Sequence, residues 1–248
     1  MRKRKIELNK WLFLLGLILA SFHTLPAFFK RFVSISLTVG DVIDFATPWA
    51  VISVVCFTYY RICRTGSEKP YPFKFQKAAS LIFLGAGFIL YVNGHGLHLS
   101  ANSLGRLFDK TQHTEFYNAA YLLDEVISHY MWDAGVFMIS MGLIASSFHR
   151  SHKFLSSQNI ILVFIGAFLF GFSFAVNGIE GQTIAFVLPA ALCGALISIG
   201  LRWKESRHDG KDPVTLFFLV AYLTSLVLFA YWGIMYSGFP QFSELGWI

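Results

Sequence analysis

An all-α bundle of seven transmembrane helices, forming one domain over residues 1–248, is the fold this sequence predicts, and three observations predict it. The chain is 55% apolar and only 14% charged, where a soluble domain of this size carries about a quarter charged residues. Its apolar runs hold many of the 27 phenylalanines and are separated by short polar stretches, which is the pattern of repeated helical spans and not the weak alternation of a barrel. Lysine and arginine, finally, divide unevenly between alternate loops only when seven spans are counted.

A hydrocarbon core of roughly 30 Å takes about 20 helical residues to cross. Residues 11–29 form the first span; the basic start Arg2, Lys3, Arg4, Lys5 looks like that of a signal peptide, but the apolar run is too long and no small-residue cleavage site follows, so a retained helix is expected. Residues 42–60 and 78–97 follow, with Pro70 and Pro72 marking the turn between them. The fourth span, 119–147, is disguised: Asp124, Glu125, His129 and Asp133 interrupt its first half, and a clean apolar run starts only at Ala134. Residues 160–177, 183–201 and 214–236 complete the set. The connection 100–118 brings Leu104, Leu107 and Phe108 together among Arg106, Asp109 and Lys110, and is expected either to lie along the membrane surface as an interfacial helix or to serve as a connector.

With seven spans, sixteen of the twenty lysines and arginines fall on one side, including Lys10, Arg61, Arg64, Lys69, Lys74, Lys77, Lys153, Arg202, Lys204, Arg207 and Lys211. Only Lys30, Arg31, Arg106 and Lys110 fall on the other, and omitting the fourth span makes the split ten and ten. The bias predicts a cytoplasmic N-terminus, an extracytoplasmic C-terminus and residence in the cell membrane. It also assigns the net charge of +6 to loops facing anionic lipid, which argues against a nucleic-acid partner. Cys56, Cys63 and Cys193 are poorly placed for an extracytoplasmic disulfide and read as packing residues.

The intramembrane polar residues sort to one end of the bundle. His23 closes span one, Asp41 and Asp44 open span two, His95 and His98 close span three, and Asp124, Glu125, His129 and Asp133 open span four. Tyr91, His95, His98 and Asn102 stand at i, i+4, i+7 and i+11, one stripe on a continuous helix. Glu125, His129 and Asp133 stand at i, i+4 and i+8, a second stripe about 12 Å long. Gly85, Gly87, Gly94 and Gly96 let a neighbouring backbone come close to span three. An ionised carboxylate near the bilayer centre costs about 2.5–3.5 kcal/mol unless it is paired, protonated or bound to metal. No lysine or arginine lies at this depth, so a divalent cation is the expected counter-charge.

Imidazole with carboxylate suits zinc or non-haem iron. The expected metal ligands are His95, His98 and His129; Glu125 or Asp133 is then a fourth ligand, the general base, or the acceptor that orients an imidazole. His23 and Glu180 are reserve ligands. Asp41 and Asp44 read as helix caps, Asn177 and Glu180 as residues of a tight turn, and Trp11, Trp203, Trp232 and Tyr236 as interfacial anchors. His149, His152 and His208 read as solvated loop residues.

Seven spans with histidines and acids toward one end resemble the seven-helix membrane hydrolases that include alkaline ceramidases and progestin/adipoQ receptors. The likeness is one of topology: that family carries an HxxxH pair on its last helix, and residues 214–236 contain no histidine, so none of its site residues transfers to this chain. The residues themselves point first to a metal-dependent membrane hydrolase acting on a lipid-like molecule that reaches the site sideways from the bilayer. The alternatives are a redox protein holding non-haem iron or non-covalent haem, and a transporter or receptor using Glu125, His129 and Asp133 as a metal-free relay or pocket.

Overall fold

In lipid every backbone N–H and C=O must find its partner inside the chain, so apolar runs of this length have helix as their available form. A computed structural model describes residues 2–65, 67–68, 74–108, 111–148, 150–151, 157–206 and 212–247. Lys69, Pro70, Pro72, Asp109, Lys110, His149, His152, Lys153, Arg207, His208 and Lys211 lie outside the described residues. Among the described residues, seven helical stretches are long and apolar enough to cross a membrane, which makes this an integral membrane protein.

The helices are α1 (Arg2–Thr24), α2 (Val39–Thr65), α3 (Lys74–Gly105), α4 (Thr114–Tyr121), α5 (His129–Phe148), α6 (Ser157–Glu180), α7 (Ile184–Ser206) and α8 (Pro213–Tyr236). A π-helical stretch, Leu122–Ser128, joins α4 to α5 without a break, so the fourth span runs 35 residues from Thr114 to Phe148. Two short strands, β1 (Ser67–Glu68) and β2 (Arg150–Ser151), pair antiparallel where α2 and α5 finish. The opposite end, where α1, α3, α6 and α8 finish, carries the polar cluster.

Of the two expectations for the connection 100–118, the structure agrees with the connector. Among the described residues it holds no separate surface helix: α3 continues to Gly105, and α4 already belongs to the fourth span. Arg106, just past α3, turns its guanidinium onto the carboxylate of Asp41 and donates to the Ser36 carbonyl at 2.9 Å. Asp41 is the cap the sequence predicts. Its carboxylate accepts from the Thr38 N–H at 2.6 Å while the Thr38 hydroxyl accepts from the Asp41 N–H at 3.1 Å, a reciprocal capping box at the start of α2. Arg106→Ala therefore leaves a buried carboxylate without its cation. Because the arginine is itself part-exposed, the expected cost is about 1–3 kcal/mol, below that of a fully buried pair. It is read as a lower unfolding temperature in detergent together with faster proteolysis within residues 33–38.

Close backbone approach decides which helices meet. A Cβ built on Gly16 would lie 1.9 Å from the Gly166 carbonyl oxygen, so α1 and α6 touch along their main chains, with Leu12, Leu15 and Leu19 buried beside the contact. The α3–α5 contact is of the same kind. A Cβ on Gly94 would lie 2.7 Å from the Trp132 nitrogen, and one on Gly135 would lie 2.6 Å from the Tyr91 nitrogen. Of the four α3 glycines singled out above, Gly87 and Gly94 thus face the fourth span, whereas Gly85 and Gly96 look into open space. Tyr91, Phe174, Phe217, Phe218, Tyr222 and Phe229 are fully buried at the centre, while Phe45, Trp49, Ile82 and Ile234 point outward, as side chains facing lipid do.

Candidate functional site

Backbone contact between α3 and the fourth span sets His95 and His98 against His129 and Trp132. The indole of Trp132 is the centre of the cluster. Its ring centroid lies 3.8 Å from that of His95, 4.6 Å from His23, 5.7 Å from His129 and 5.9 Å from His98. Trp132 is buried, and its indole N–H has no hydrogen-bond partner among the described residues. Reasoning from sequence passed over this residue because tryptophan in a span reads as apolar filling; the surrounding histidines on other helices give no signal along the chain.

The imidazoles divide into two sets around that ring. His98 and His129 come together, with ring centroids 5.1 Å apart in an edge-on arrangement. His98 Nδ1 lies 2.6 Å from Asp124 Oδ1, within ion-pair reach though not aligned as a hydrogen bond. His129 Nε2 lies 3.8 Å from Glu125 Oε2, and the Nδ1 side of its ring packs on Gly181, where a Cβ would come within 2.4 Å. His95 turns the other way, toward α2: its Nδ1 lies 3.4 Å from Asp44 Oδ1, again without hydrogen-bond alignment. Asp44 therefore faces a histidine, and it is Thr38 with Asp41 that caps the helix. Among the described residues, no three His, Cys, Asp or Glu side chains converge as a metal-ligand set.

The π-helical stretch accounts for two acids on adjacent positions both facing histidines. Its i→i+5 pattern widens the turn, so Asp124 reaches His98 while Glu125 reaches His129. In a regular α-helix adjacent residues point about 100° apart, and a stripe drawn through Glu125 leaves Asp124 outside it. Asp124 is thus a site residue that helical spacing missed. Asp133 is brought elsewhere: fully buried, it accepts a hydrogen bond from the Thr183 hydroxyl at the start of α7.

The reserve ligands have structural partners. His23 uses both ring nitrogens. The Asn177 amide donates to Nδ1 at 2.6 Å, and Nε2 lies 2.8 Å from the Tyr91 hydroxyl, so one imidazole ties α1 to α6 and α3. Asn177 is accordingly a helical residue of α6 and not part of a loop. Glu180, also on α6, accepts from the backbone N–H of Phe242 at 2.7 Å and anchors the segment after α8. Trp232 takes part in the same closure, buried and donating to the Pro240 carbonyl at 3.0 Å, so it is not an interfacial anchor, while Trp203 is exposed as expected of one. Glu180→Ala is expected to release residues 239–247, seen as faster carboxypeptidase trimming with no change in the α1–α7 protection pattern.

Between α2 and α3 a groove of about 800 Å³ opens sideways, walled by Trp49, Ile52, Phe57, Val92 and Leu99, with Asp44 and His95 at one end. Cys56 lies exposed in this groove, and Cys193 is exposed as well, so neither is the packing residue expected; all three cysteines are free. Compared with protein families, curated proteins and solved structures, the chain finds no match.

Proposed function

We propose that this protein is a metal-dependent integral-membrane hydrolase of lipid-like substrates, working at His98, His129 and Glu125. The observation that carries the reading is the His98–His129 pair with a carboxylate beside each ring. Two imidazoles on one tetrahedral zinc, with Zn–N of about 2.1 Å, have ring centroids roughly 5 Å apart. The 5.1 Å separation fits that spacing. Glu125 Oε2 lies 3.8 Å from His129 Nε2, within reach of a water held beside that imidazole. Asp124, on the Nδ1 side of His98, would orient that ring and leave Nε2 free for the cation, a reading its 2.6 Å approach supports.

When bound, the zinc or iron supplies Lewis-acid activation of water. The side chains do the rest. Glu125 accepts the proton of the attacking water and returns it to the leaving oxygen or nitrogen, so that an ester or amide gives an acid and an alcohol or amine. Trp132 keeps the cluster dry on its inner side. Asp133, held by Thr183, is assigned to packing α5 on α7 and not to the proton path. The uneven distribution of lysine and arginine supports a cytoplasmic N-terminus, which puts the cluster in the extracytoplasmic half of the cell membrane.

A second reading, a metal-free polar pocket or relay, draws support from the absence of a three-ligand set among the described residues. Both are tested by reconstituting the protein in vesicles containing ester- and amide-linked lipids, with and without chelator. Chelator-sensitive release of acid is the expected result. Proton or solute flux that survives chelator, with no release, favours the second reading, and a haem absorption band replaces hydrolysis with redox chemistry.

A further inference from the structure

His95 is a buried polar side chain whose ion-pair partner, Asp44, stands 3.4 Å away without hydrogen-bond alignment. It is 3% exposed, neither ring nitrogen has an aligned hydrogen-bond partner among the described residues, and it forms the polar end of an otherwise greasy groove. A buried imidazole in that condition forfeits hydrogen bonds it would make in water, and a bound partner restores them.

Two further groups at the same end are acceptors. The Asp44 carboxylate lies 3.4 Å from His95 Nδ1. The Asp44 carbonyl is four residues before Pro48, and proline has no N–H to return to it, so that oxygen lacks its helical donor. Asp44, Pro48 and His95 all line the groove. From Asp44 the wall runs along α2 to Tyr60, sixteen residues and so roughly 24 Å. Gly96 faces open space, which keeps the α3 side clear.

A long apolar channel ending in two acceptors and an imidazole without an aligned hydrogen bond suits one chemistry: an extended hydrocarbon body with a small hydrogen-bond-donating head. We infer that the α2–α3 groove binds a lipid bearing a hydroxyl or amino head, with the head held between His95 and Asp44 and the hydrocarbon lying against Trp49, Ile52 and Phe57. This deepens the proposed hydrolase by naming the class of molecule, substrate or released product, that approaches it. It rests on that reading only for what becomes of the molecule, since binding at His95 needs no metal.

The test uses the full-length protein in detergent with chelator present, so that failure of the metal site leaves it unaffected. Photoactivatable long-chain probes differing only at the head are compared: the alcohol, the amine, and the methyl ether, which has no donor. The alcohol, the amine or both are expected to label residues 45–60 about tenfold more than the ether, the ratio of one charge-assisted hydrogen bond. Which of the two labels more identifies the head. His95→Phe is expected to bring all three probes to the ether's level. Gly96→Leu, which adds bulk where no atom lies within 4 Å, is expected to fold normally and to block every probe. Equal labelling by all three in the natural protein means that bulk lipid alone fills the groove and overturns the inference. So does a head preference unchanged in His95→Phe, or labelling by the alcohol or amine unaffected in a folded Gly96→Leu.

Discussion

His98→Ala combined with His129→Ala is expected to abolish stoichiometric metal binding, while His95→Ala keeps it. The structure makes this contrast sharp. His95 and His98 are one helical turn apart on α3, yet His98 meets His129 at 5.1 Å and His95 turns to Asp44 on α2. A site drawn from sequence through all three histidines predicts that each single loss weakens metal equally. Asp124→Asn provides the graded case, because removing the charge that orients a ligating imidazole weakens metal affinity about 10- to 100-fold. The measurement is metal content per chain after size-exclusion chromatography, with competition against a chelator of known affinity for the graded variant. Full occupancy in the His98, His129 double variant contradicts the assignment.

Gly135→Leu is expected to have the largest structural effect of any single substitution near the site. A Cβ at this position would stand 2.6 Å from the Tyr91 nitrogen and 2.9 Å from the Gly87 carbonyl oxygen, both main-chain atoms that cannot step aside. Overpacking of a close-packed contact costs about 1–3 kcal/mol even where flexible side chains give way. Against backbone, the two helices must separate, and with them the face that joins His98 to His129. The variant should unfold well below the natural protein in detergent and lose its metal together with its stability. Gly96→Ala, on the same helix α3 but facing open space, should change neither.

The spans were legible because hydrocarbon thickness and loop charge act on whole segments, and neither depends on how a helix is rotated. The fourth span is the clearest case: hydropathy alone obscures Asp124, Glu125, His129 and Asp133, while the lysine and arginine distribution requires that stretch to cross. The gathering of histidines and acids at one end was legible for the same reason, since depth follows from counting residues along each span. Facing was not. The π-helical turn moved Asp124 onto His98, the pairing of His95 with Asp44 depends on how α2 is rotated, and Asp133 met Thr183 across to α7. Glu180 looked like a spare ligand because its partners, Phe242 and Ser243, lie some sixty residues further on. Trp132 shows the limit of reading by residue type, because an indole touching four imidazoles has the same one-letter record as an indole touching lipid.

Elemental analysis of the full-length protein, purified without chelator and supplied with zinc and iron during expression, tests the account most directly. One zinc or iron per chain, lost in the His98, His129 double variant and kept in His95→Ala, is the result expected. Folded natural protein that carries neither element under those conditions contradicts the metal centre and leaves the histidine–carboxylate pairs as a metal-free pocket.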